Sequence, residues 1–254
     1  MKNSTSITKN TADTNKYKYF VAGIVGFILI WKIISLNYKP IILPSPELTF
    51  LNIYQKIKTI SFWLNISYSF FRIITGYLLS MFVGVFLGTV MGLNEKINSL
   101  LSPLISILQT TPNISWILLA IIWFGLNSKI VIFTIFISIL PIFVINSSEG
   151  VRGTDINLIE IGEVYKLSTL DKLLKIYFPA AKPYIISASI ITIERAWKIG
   201  AMAELLSLET GIGSGLYWAR NNLETEGIFA WTIVLILLGY TSSKLLKKNT
   251  YLTN

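Results

Sequence analysis

Residues 62–93 form an uninterrupted apolar stretch that carries one charged side chain, Arg72, in 32 positions. About 20 apolar residues cross the hydrocarbon core of a bilayer as a helix, so this stretch is long enough to span it with tilt. Inside lipid a chain must satisfy its own backbone hydrogen bonds, and a single apolar stretch does so as an α-helix. The composition agrees, because 53% of the 254 residues are hydrophobic and only 14% are charged. The sequence therefore predicts an all-α membrane protein with several spans.

Similar apolar stretches recur along the chain and predict about six transmembrane helices. The predicted spans cover residues 19–36, 62–93, 103–126, 130–147, 183–206 and 227–243. A polar tail, residues 1–18, precedes the first span, and no small-residue cleavage site follows that span, so we expect an uncleaved helix rather than a signal peptide. The fifth span carries four charged residues, and a five-span arrangement follows if it is not fully inserted. Residues 19–246 are expected to form one transmembrane domain.

The basic residues between the spans are unequally distributed. With the N-terminus placed in the cytoplasm, thirteen Lys and Arg residues fall on the cytoplasmic side and five on the outer side. Since cytoplasmic loops carry the excess of basic residues, both termini are predicted to be cytoplasmic. The net charge of +9 fits contact with anionic membrane lipid better than nucleic-acid binding, because no patch of mixed basic and aromatic residues accompanies it.

The chain has no cysteine and no histidine. This removes thiol nucleophiles, disulfides, imidazole acid–base chemistry and most zinc and haem sites, so neither a metal site nor a catalytic residue is predicted. The nucleotide-binding pattern Gly-x-x-x-x-Gly-Lys-Ser/Thr is also missing from the sequence. A membrane enzyme would need paired carboxylates here, and Glu194 with Glu204 is a poor pair for that role.

Two further patterns concern packing. A stripe of small residues spaced four apart runs along the second span, and such a stripe lets another helix pack closely. Its members are Gly76, Ser80, Gly84, Gly88 and Gly92. In the outer segment, the prolines at positions 44 and 46 cannot continue a helix, while residues 48–60 mix apolar and basic side chains. That stretch predicts either a short helix on the membrane surface or an ordered loop.

A charged segment, residues 154–179, separates the fourth and fifth spans and is predicted to lie in the cytoplasm; we call it the hairpin. Asp155 is placed to cap one short helix, and Ser168, with an acid three residues on, to cap a second. We expect one apolar face of this helix pair to pack on the membrane domain while the corner between the helices stays exposed, and residues 170–178 to form one continuous helical stripe. The pattern alone fits either an amphipathic connector or a docking element for another protein.

The hairpin resembles the coupling loop of bacterial ATP-binding-cassette importer permeases, which has Glu-Ala-Ala, a glycine soon after and a later Leu-Pro. This chain has Glu160-Ile161-Gly162, then Lys166 in place of the glycine, then Ile176-Tyr177-Phe178-Pro179. Other motifs resemble the branch for sulfonate, taurine and nitrate uptake. These are Leu43-Pro44-Ser45-Pro46, Trp123-Phe124-Gly125, Gly150-Val151-Arg152, Arg195-Ala196-Trp197 and Gly211-Ile212-Gly213. The similarity covers roughly residues 40–245. If the family's glycine needs a positive φ, lysine at 166 costs about 1 kcal/mol or more.

The resemblance implies a type I importer fold whose hairpin docks an ATP-binding-cassette ATPase. ATP and Mg would bind to that partner, and this chain would hold no cofactor. A second copy would complete a homodimer in the bacterial inner membrane, and an extracytoplasmic binding protein would deliver a sulfonate-, taurine- or nitrate-like anion or a vitamin precursor. The residues carried over to the ATPase contact are Asp155, Leu158, Glu160, Ile161, Gly162, Glu163, Tyr165, Lys166, Leu167 and Ser168. A stand-alone secondary transporter or channel is the alternative, but it has no use for the hairpin.

Ionisable residues inside membrane spans are costly and are candidates for the transport route. Glu194 and Lys198 stand four apart and are placed to pair on one helix face. Arg72 and Arg195 have no acid nearby in sequence that settles their partners, and Glu204 is one candidate. These charges either hold the helices together as ion pairs or contact the substrate, and an anionic substrate would be attracted by either arginine.

A second polar cluster, Thr110, Thr111 and Asn113, surrounds Pro112 in the third predicted span. These side chains either line the pathway or satisfy the backbone of a helix broken at the proline. The sequence does not rank these two roles.

Overall fold

The computed structural model describes the backbone of residues 5–251 and the side chains of residues 18–248, and this part of the chain is built from helices. The helices are α1 (Thr5–Ser35), α2 (Pro46–Ile57), α3 (Ile60–Leu93), α4 (Glu95–Thr110), α5 (Asn113–Phe124), α6 (Lys129–Arg152), α7 (Ile156–Val164), α8 (Thr169–Lys172), α9 (Phe178–Ser207), α10 (Ile212–Asn221) and α11 (Thr225–Tyr251), with a π-helical turn at Leu173–Tyr177. Five of them are long and apolar enough to cross a membrane, and the α4–α5 pair makes six if counted as one span. The prediction of an all-α protein with several spans is confirmed.

The helices extend beyond the predicted spans at several ends. α1 begins at Thr5, within the stretch taken as a polar tail, and residues 1–4 of that tail lie outside the described part of the chain. α6 continues to Arg152 and α9 begins at Phe178. The reason is that hydropathy marks only the apolar part of a helix, whereas polar residues beyond the bilayer continue the same hydrogen-bonding pattern.

The span predicted over residues 103–126 is a broken one, because α4 and α5 meet at a 95° bend. Pro112 has no backbone N–H, and its ring pushes Thr111 into an extended conformation, with φ −68° and ψ 127°, so α4 ends there. The hydroxyls of Thr110 and Thr111 donate to the carbonyls of Ser106 and Ile107, at 3.0 and 2.7 Å. Both hydroxyls therefore bond the last turn of the broken helix.

The centre of the molecule is formed by α3, α6 and α9, which pack along most of their lengths. The small-residue stripe of α3 lies against α6. Ser80 Oγ donates to the carbonyl oxygen of Phe136 over 2.6 Å, and a Cβ added at Gly76, Gly84 or Gly88 would collide with atoms of α6. The predicted close packing of a partner helix on this stripe is confirmed.

The outer segment between α1 and α3 contains a helix, α2, rather than an ordered loop. Ser45 caps it by accepting a hydrogen bond from the backbone N–H of Leu48 at 3.4 Å. Lys32, in the last turn of α1, forms an ion pair with Glu47 in the first turn of α2, with Nζ and Oε1 2.8 Å apart. The hydrogen bond from Lys32 lowers the pKa of Glu47 to about 2, so this link between the two helices is intact at neutral pH.

Candidate functional site

The hairpin begins with α7, whose apolar side chains face outward. Asp155 caps it as predicted, because its Oδ1 accepts a hydrogen bond at 2.9 Å from the N–H two residues on. Leu158, Ile161 and Tyr165 are 47%, 51% and 76% exposed, and Gly162 is the buried residue of this helix. The apolar face of α7 is therefore not the face that packs on the membrane domain. The helix packs against the rest of the hairpin at Gly162, and its larger apolar side chains stay exposed to solvent.

The turn after α7 places Lys166 in the left-handed region, at φ 50°. Its N–H donates to the carbonyl of Glu163, and the N–H of Leu167 donates to the carbonyl of Gly162, both over 2.9 Å. These two bonds are the Schellman motif, which favours glycine at the left-handed position. Position 166 thus needs the positive φ that a glycine adopts freely, and the lysine holds it under strain.

The two arms of the hairpin touch at Gly162. A Cβ added there would lie 2.7 Å from Ile176 Cδ1 and 3.6 Å from Leu167 Cδ1, so only glycine fits without a shift. Beside this contact, Lys172 Nζ lies 3.4 Å from Glu163 Oε1. The hairpin is therefore closed by one apolar and one ionic contact.

The second arm begins with α8, which Ser168 caps as predicted. Ser168 Oγ accepts from the N–H of Asp171 at 3.1 Å and donates to the Asp171 carboxylate at 2.6 Å. Lys175 lies 2.6 Å from the same carboxylate. The Lys175 contact and, after it, the Ser168 hydroxyl hold the pKa of Asp171 below its usual value. The carboxylate therefore stays ionised at neutral pH and keeps the start of this arm ordered.

The continuous helical stripe predicted over residues 170–178 is wrong. The chain makes a π-helical turn over Leu173–Tyr177, so side chains beyond it are rotated relative to a regular α-helix. Leu170, Leu174 and Phe178 are exposed as a result. The cause is Pro179, which has no N–H to donate to the preceding turn and whose ring crowds that turn's carbonyl, and a widened turn accommodates both effects.

At the opposite end of α9, Arg72 and Glu204 form a buried ion pair between α3 and α9. Arg72 Nη1 lies 3.0 Å from Glu204 Oε1, and Glu204 is fully buried. Arg72 also donates to the carbonyl and hydroxyl oxygens of Thr210, each at 2.8 Å, and to Ser128 Oγ at 2.9 Å. Glu204 accepts from Ser69 Oγ at 2.6 Å and from a backbone N–H in the first turn of α10 at 3.1 Å. Of the two roles expected for intramembrane charges, this geometry fits the ion pair.

This cluster also anchors the loop that leads into α10. The N–H of Gly211, at φ 114°, donates to Asn65 Oδ1, and the N–H of Ile212 donates to Ser69 Oγ, both over 2.8 Å. Four of the five N–H groups of Arg72 are used within the chain. Asn65, Ser69 and the loop residues were not predicted, because their partners lie more than a hundred residues away and leave no local signal.

Five of the remaining predicted polar residues meet in a pocket beside the bend between α4 and α5, which we call the elbow pocket. Its volume is about 460 Å³. Thr110, Thr111 and Asn113 reach it from the bend, and Arg195 and Lys198 reach it from α9. The sequence placed these five residues in two unrelated clusters, and the fold brings them to one site.

Two polar residues of the elbow pocket were not predicted, Gln109 and Ser138. Ser138 Oγ is closed to solvent and has no hydrogen-bond partner among the side chains and backbone that the structure describes. A single hydroxyl in an apolar span usually bonds the carbonyl one turn earlier, so its presence in the sequence is no signal of a site. Its unpartnered state appears only in the folded chain.

The predicted pairing of Glu194 with Lys198 is wrong. Over the side chains that the structure describes, neither Lys198 nor Arg195 forms an ion pair. Glu194 and Lys198 both line a second cavity, of about 430 Å³, with Trp197 and with Tyr240 of α11, but they do not form an ion pair across it. Residues four apart on a helix gain only about 0.2–0.5 kcal/mol by pairing, which is too little to hold two long side chains together.

Comparison with known proteins points to one family. The sequence model described as "Binding-protein-dependent transport system inner membrane component" matches residues 80–249. A protein named as an ABC transporter permease in Methanocaldococcus jannaschii is 32% identical over 218 residues, covering 84% of this chain and 82% of its own. The bicarbonate transport system permease protein of Synechococcus elongatus is 32% identical over 210 residues, covering 76% and 73%. An aliphatic sulfonates transport permease protein of Bacillus subtilis is 28% identical over 216 residues, covering 84% and 78%.

A solved structure shares the fold. A chain of the MetNI methionine ABC transporter, in an inward-facing conformation, superposes with a TM-score of 0.58 at 15% identity, over 73% of this chain and 96% of that one. Similarity at this level of identity concerns the arrangement of the helices and says nothing of the solute carried.

Proposed function

Because the chain belongs to the family of binding-protein-dependent transport inner membrane components, and is therefore a permease subunit of an ATP-driven importer, we propose that its hairpin couples it to a separate ATPase. The observation that supports this coupling is an apolar helix face with no partner within the described chain. A protein exposes such a face where another molecule covers it.

The docking surface is the outward face of α7 and the turn that follows it. Leu158 and Ile161 supply apolar contact, Glu160 and Glu163 border them, and Lys166 stands at the corner. A short helix with this arrangement binds by laying its apolar face into a groove of the partner. In the proposed complex, residues 155–168 occupy such a groove on the ATPase, and that subunit binds ATP and Mg while this chain takes no part in catalysis.

The hairpin is built to pass on a displacement as a unit. The contact of Gly162 with Ile176 and the ion pair of Lys172 with Glu163 hold its two arms together. The second arm continues through the π turn into α9, with no non-helical residue between them. Because α9 also forms one wall of the elbow pocket, closure of the ATPase would move that wall and alternate access to the pathway.

A second copy of the chain is proposed to cover the exposed face of α9. That face carries Ile191, Arg195, Lys198 and Met202, which are all exposed. Two cations midway along a membrane helix are costly against lipid, so the face needs a protein partner or an aqueous route. A homodimer with the pathway between the two copies supplies both.

The remaining partners follow from the distribution of charge. The hairpin carries three of the basic residues predicted to be cytoplasmic, Lys166, Lys172 and Lys175, and the C-terminal end of α11 carries Lys244, Lys247 and Lys248. We propose that both termini are cytoplasmic, that these basic ends contact anionic lipid of a cell membrane, and that a solute-binding protein delivers substrate on the opposite face. Since relatives are named for bicarbonate and sulfonates, a small anion is the proposed solute.

The coupling is tested by Glu160→Arg in the full chain co-expressed with the ATPase subunit and the binding protein. A charge reversal beside the apolar face should release the ATPase and abolish ATP-driven uptake into proteoliposomes, because a like or unpaired charge in an interface is strongly unfavourable. Recovery of the ATPase on affinity-tagged permease gives the measurement. Glu209→Arg is the matched control, since it makes the same substitution at an exposed residue beyond the other end of α9.

The control should keep both the ATPase and uptake. Uptake that persists in membranes lacking the ATPase would show a stand-alone transporter or channel instead. Equal ATPase recovery with both variants would move the docking surface away from α7.

A further inference from the structure

The elbow pocket is positive and contains no compensating acid. It is lined by Gln109, Thr110, Thr111, Pro112, Asn113, Ser138, Ile142, Arg195, Lys198 and Ile199, none of them a carboxylate. Arg195 and Lys198 form no ion pair within the part of the chain whose side chains are described. This sets them apart from Arg72, the other basic residue deep in a span, whose charge is neutralised by Glu204. Two unpaired cations in one cavity create a strong local field for an anion.

Gln109 and Asn113 bring side-chain amides, which can donate hydrogen bonds, to the same pocket. Ser138 Oγ has no hydrogen-bond partner among the described residues, but it is closed to solvent, so an anion in the pocket does not reach it. Asn113 stands at the start of α5, where Pro112 provides no side-chain cap, and the first N–H groups of any helix lack intrahelical partners. The positive end of the α5 dipole lies at the same place. Thr110 and Thr111 differ, because their hydroxyls already donate to the carbonyls of α4.

The two apolar lining residues limit what kind of anion fits. Ile142 of α6 and Ile199 of α9 line the elbow pocket together with the donors. A volume of about 460 Å³ falls within the range of small-molecule sites and exceeds what one inorganic ion fills. The space beside the isoleucines accommodates a short alkyl group or the hydration shell of a smaller ion.

We propose that the elbow pocket binds a small oxyanion, held by Arg195 and Lys198 with the side-chain amide of Asn113 as a further donor, and that it is a substrate site on the import pathway. The assignment of the pocket as a substrate site rests on the proposed permease function. Arginine offers a planar pair of N–H groups to two oxygens of one ligand, and lysine adds a point charge. Sulfonate, nitrate and bicarbonate share the required chemistry, which is one negative charge spread over several acceptor oxygens.

Oxyanion binding is tested on the full-length permease in phosphatidylcholine nanodiscs, with methanesulfonate as the probe. Saturation-transfer proton NMR of its methyl group reports binding, in a sulfonate-free buffer at fixed ionic strength. Dimethyl sulfone is the matched ligand control, because it has the same sulfonyl oxygens without the charge. We expect saturable transfer to methanesulfonate, competition by nitrate and bicarbonate, and no saturable transfer to dimethyl sulfone. Neither ATP nor the ATPase is needed, so this result is independent of the coupling experiment.

The variants locate the site. Arg195→Gln and Lys198→Gln should each weaken binding about tenfold, as expected when a charge-assisted hydrogen bond is lost. Lys182→Gln removes the same charge from an exposed position of α9 outside the pocket and should leave binding unchanged. Ser138→Ala should leave both binding and thermal stability unchanged, because its Oγ is closed to solvent and has no partner among the described residues.

Three results would overturn the proposal. One is equal binding of the charged probe and the neutral sulfone, and another is a wild-type permease that binds neither. The third is unchanged affinity in Arg195→Gln and Lys198→Gln together with dissociation of the dimer, which would assign the two cations to carboxylates of a second copy. If competition strengthens with alkyl length across a series of short alkanesulfonates, the ligand is an organic oxyanion, whereas preference for nitrate or bicarbonate indicates an inorganic one.

Discussion

Single residues in this chain adopt conformations that their side chains disfavour, at points where a helix must stop. Lys166 closes the turn of the hairpin at φ 50°, and Leu223 closes the turn between α10 and α11 at φ 57°. The second turn repeats the first, with the N–H of Leu223 bonded to the carbonyl of Arg220 and the next N–H bonded to that of Ala219. In both places the hydrogen bonds of the Schellman motif impose the left-handed residue, and no glycine relieves it.

Lys166→Gly should therefore stabilise the hairpin, by about 1 kcal/mol, because glycine adopts a positive φ without steric penalty. The N–H of Leu167, which closes the turn, should exchange with solvent about fivefold more slowly if it exchanges by local opening. Hydrogen exchange of the full chain in nanodiscs measures this.

Leu223→Gly is the matched control for that experiment. It relieves the same strain at the other turn, so the slower exchange should move to the N–H of Glu224 and leave the hairpin unchanged. Faster exchange at Leu167 in Lys166→Gly would mean that contacts of the lysine side chain stabilise the hairpin by more than the strain of its positive φ destabilises it.

Part of this detail could be predicted from the sequence. The caps at Asp155 and Ser168 were predictable because a cap is read from residues within one turn. Glu204 could be named as a candidate partner of Arg72 because few acids lie inside the spans. The amide and hydroxyls that complete the Arg72–Glu204 cluster could not, since Asn65 and Ser69 reach it only through the packing of α3 on α9 and α10.

At the scale of helices, the sequence predicted where apolar segments lie better than how they bend. The break between α4 and α5 falls inside one apolar stretch, and hydropathy averages across it. The apolar residues before Pro179 have the sequence spacing of a regular α-helix, and that spacing does not reveal the π turn, which rotates the side chains that follow it. Without that break, Thr110 and Asn113 would not face α9, so the elbow pocket could not be predicted as one site.

The packing of α3 on α6 gives a prediction about a helix pair. Gly88→Ala should destabilise the protein by about 1–3 kcal/mol, because a Cβ there would collide with Val144 and Ser147 of α6, and a tight interface cannot relax freely. The midpoint of thermal unfolding in nanodiscs measures the loss.

Gly26→Ala in α1 is the matched control, since a Cβ at position 26 has no atom within 4 Å. That substitution should leave stability unchanged or raise it by up to about 1 kcal/mol, as alanine favours a helix more than glycine does. If Gly88→Ala and Gly26→Ala have the same effect, the small-residue stripe does not determine the packing of this pair.

At the scale of the whole molecule, the orientation in the membrane gives the last prediction. The chain contains no cysteine, so single cysteines can be introduced without background labelling. Tyr165→Cys, on the hairpin, should react with a membrane-impermeant maleimide only in inside-out vesicles, and Tyr38→Cys, between α1 and α2, only in right-side-out vesicles. Both side chains are more than half exposed, at 76% and 52%. The reverse pattern would invert the proposed topology.

The Arg72–Glu204 cluster fixes α9 near one end, and the hairpin joins α9 at the other end. This geometry sets how far Arg195 moves for a given displacement of the hairpin. At 1.5 Å per residue, Phe178 lies about 39 Å from Glu204 and Arg195 about 14 Å from it. If α9 swings about that fixed point as a rod, a 3 Å shift at the hairpin end moves Arg195 by about 1 Å. A displacement of that size is about the change in donor–acceptor distance that a charge-assisted hydrogen bond tolerates. A small movement of the ATPase is therefore enough to weaken anion binding while the packing of the helix bundle is kept.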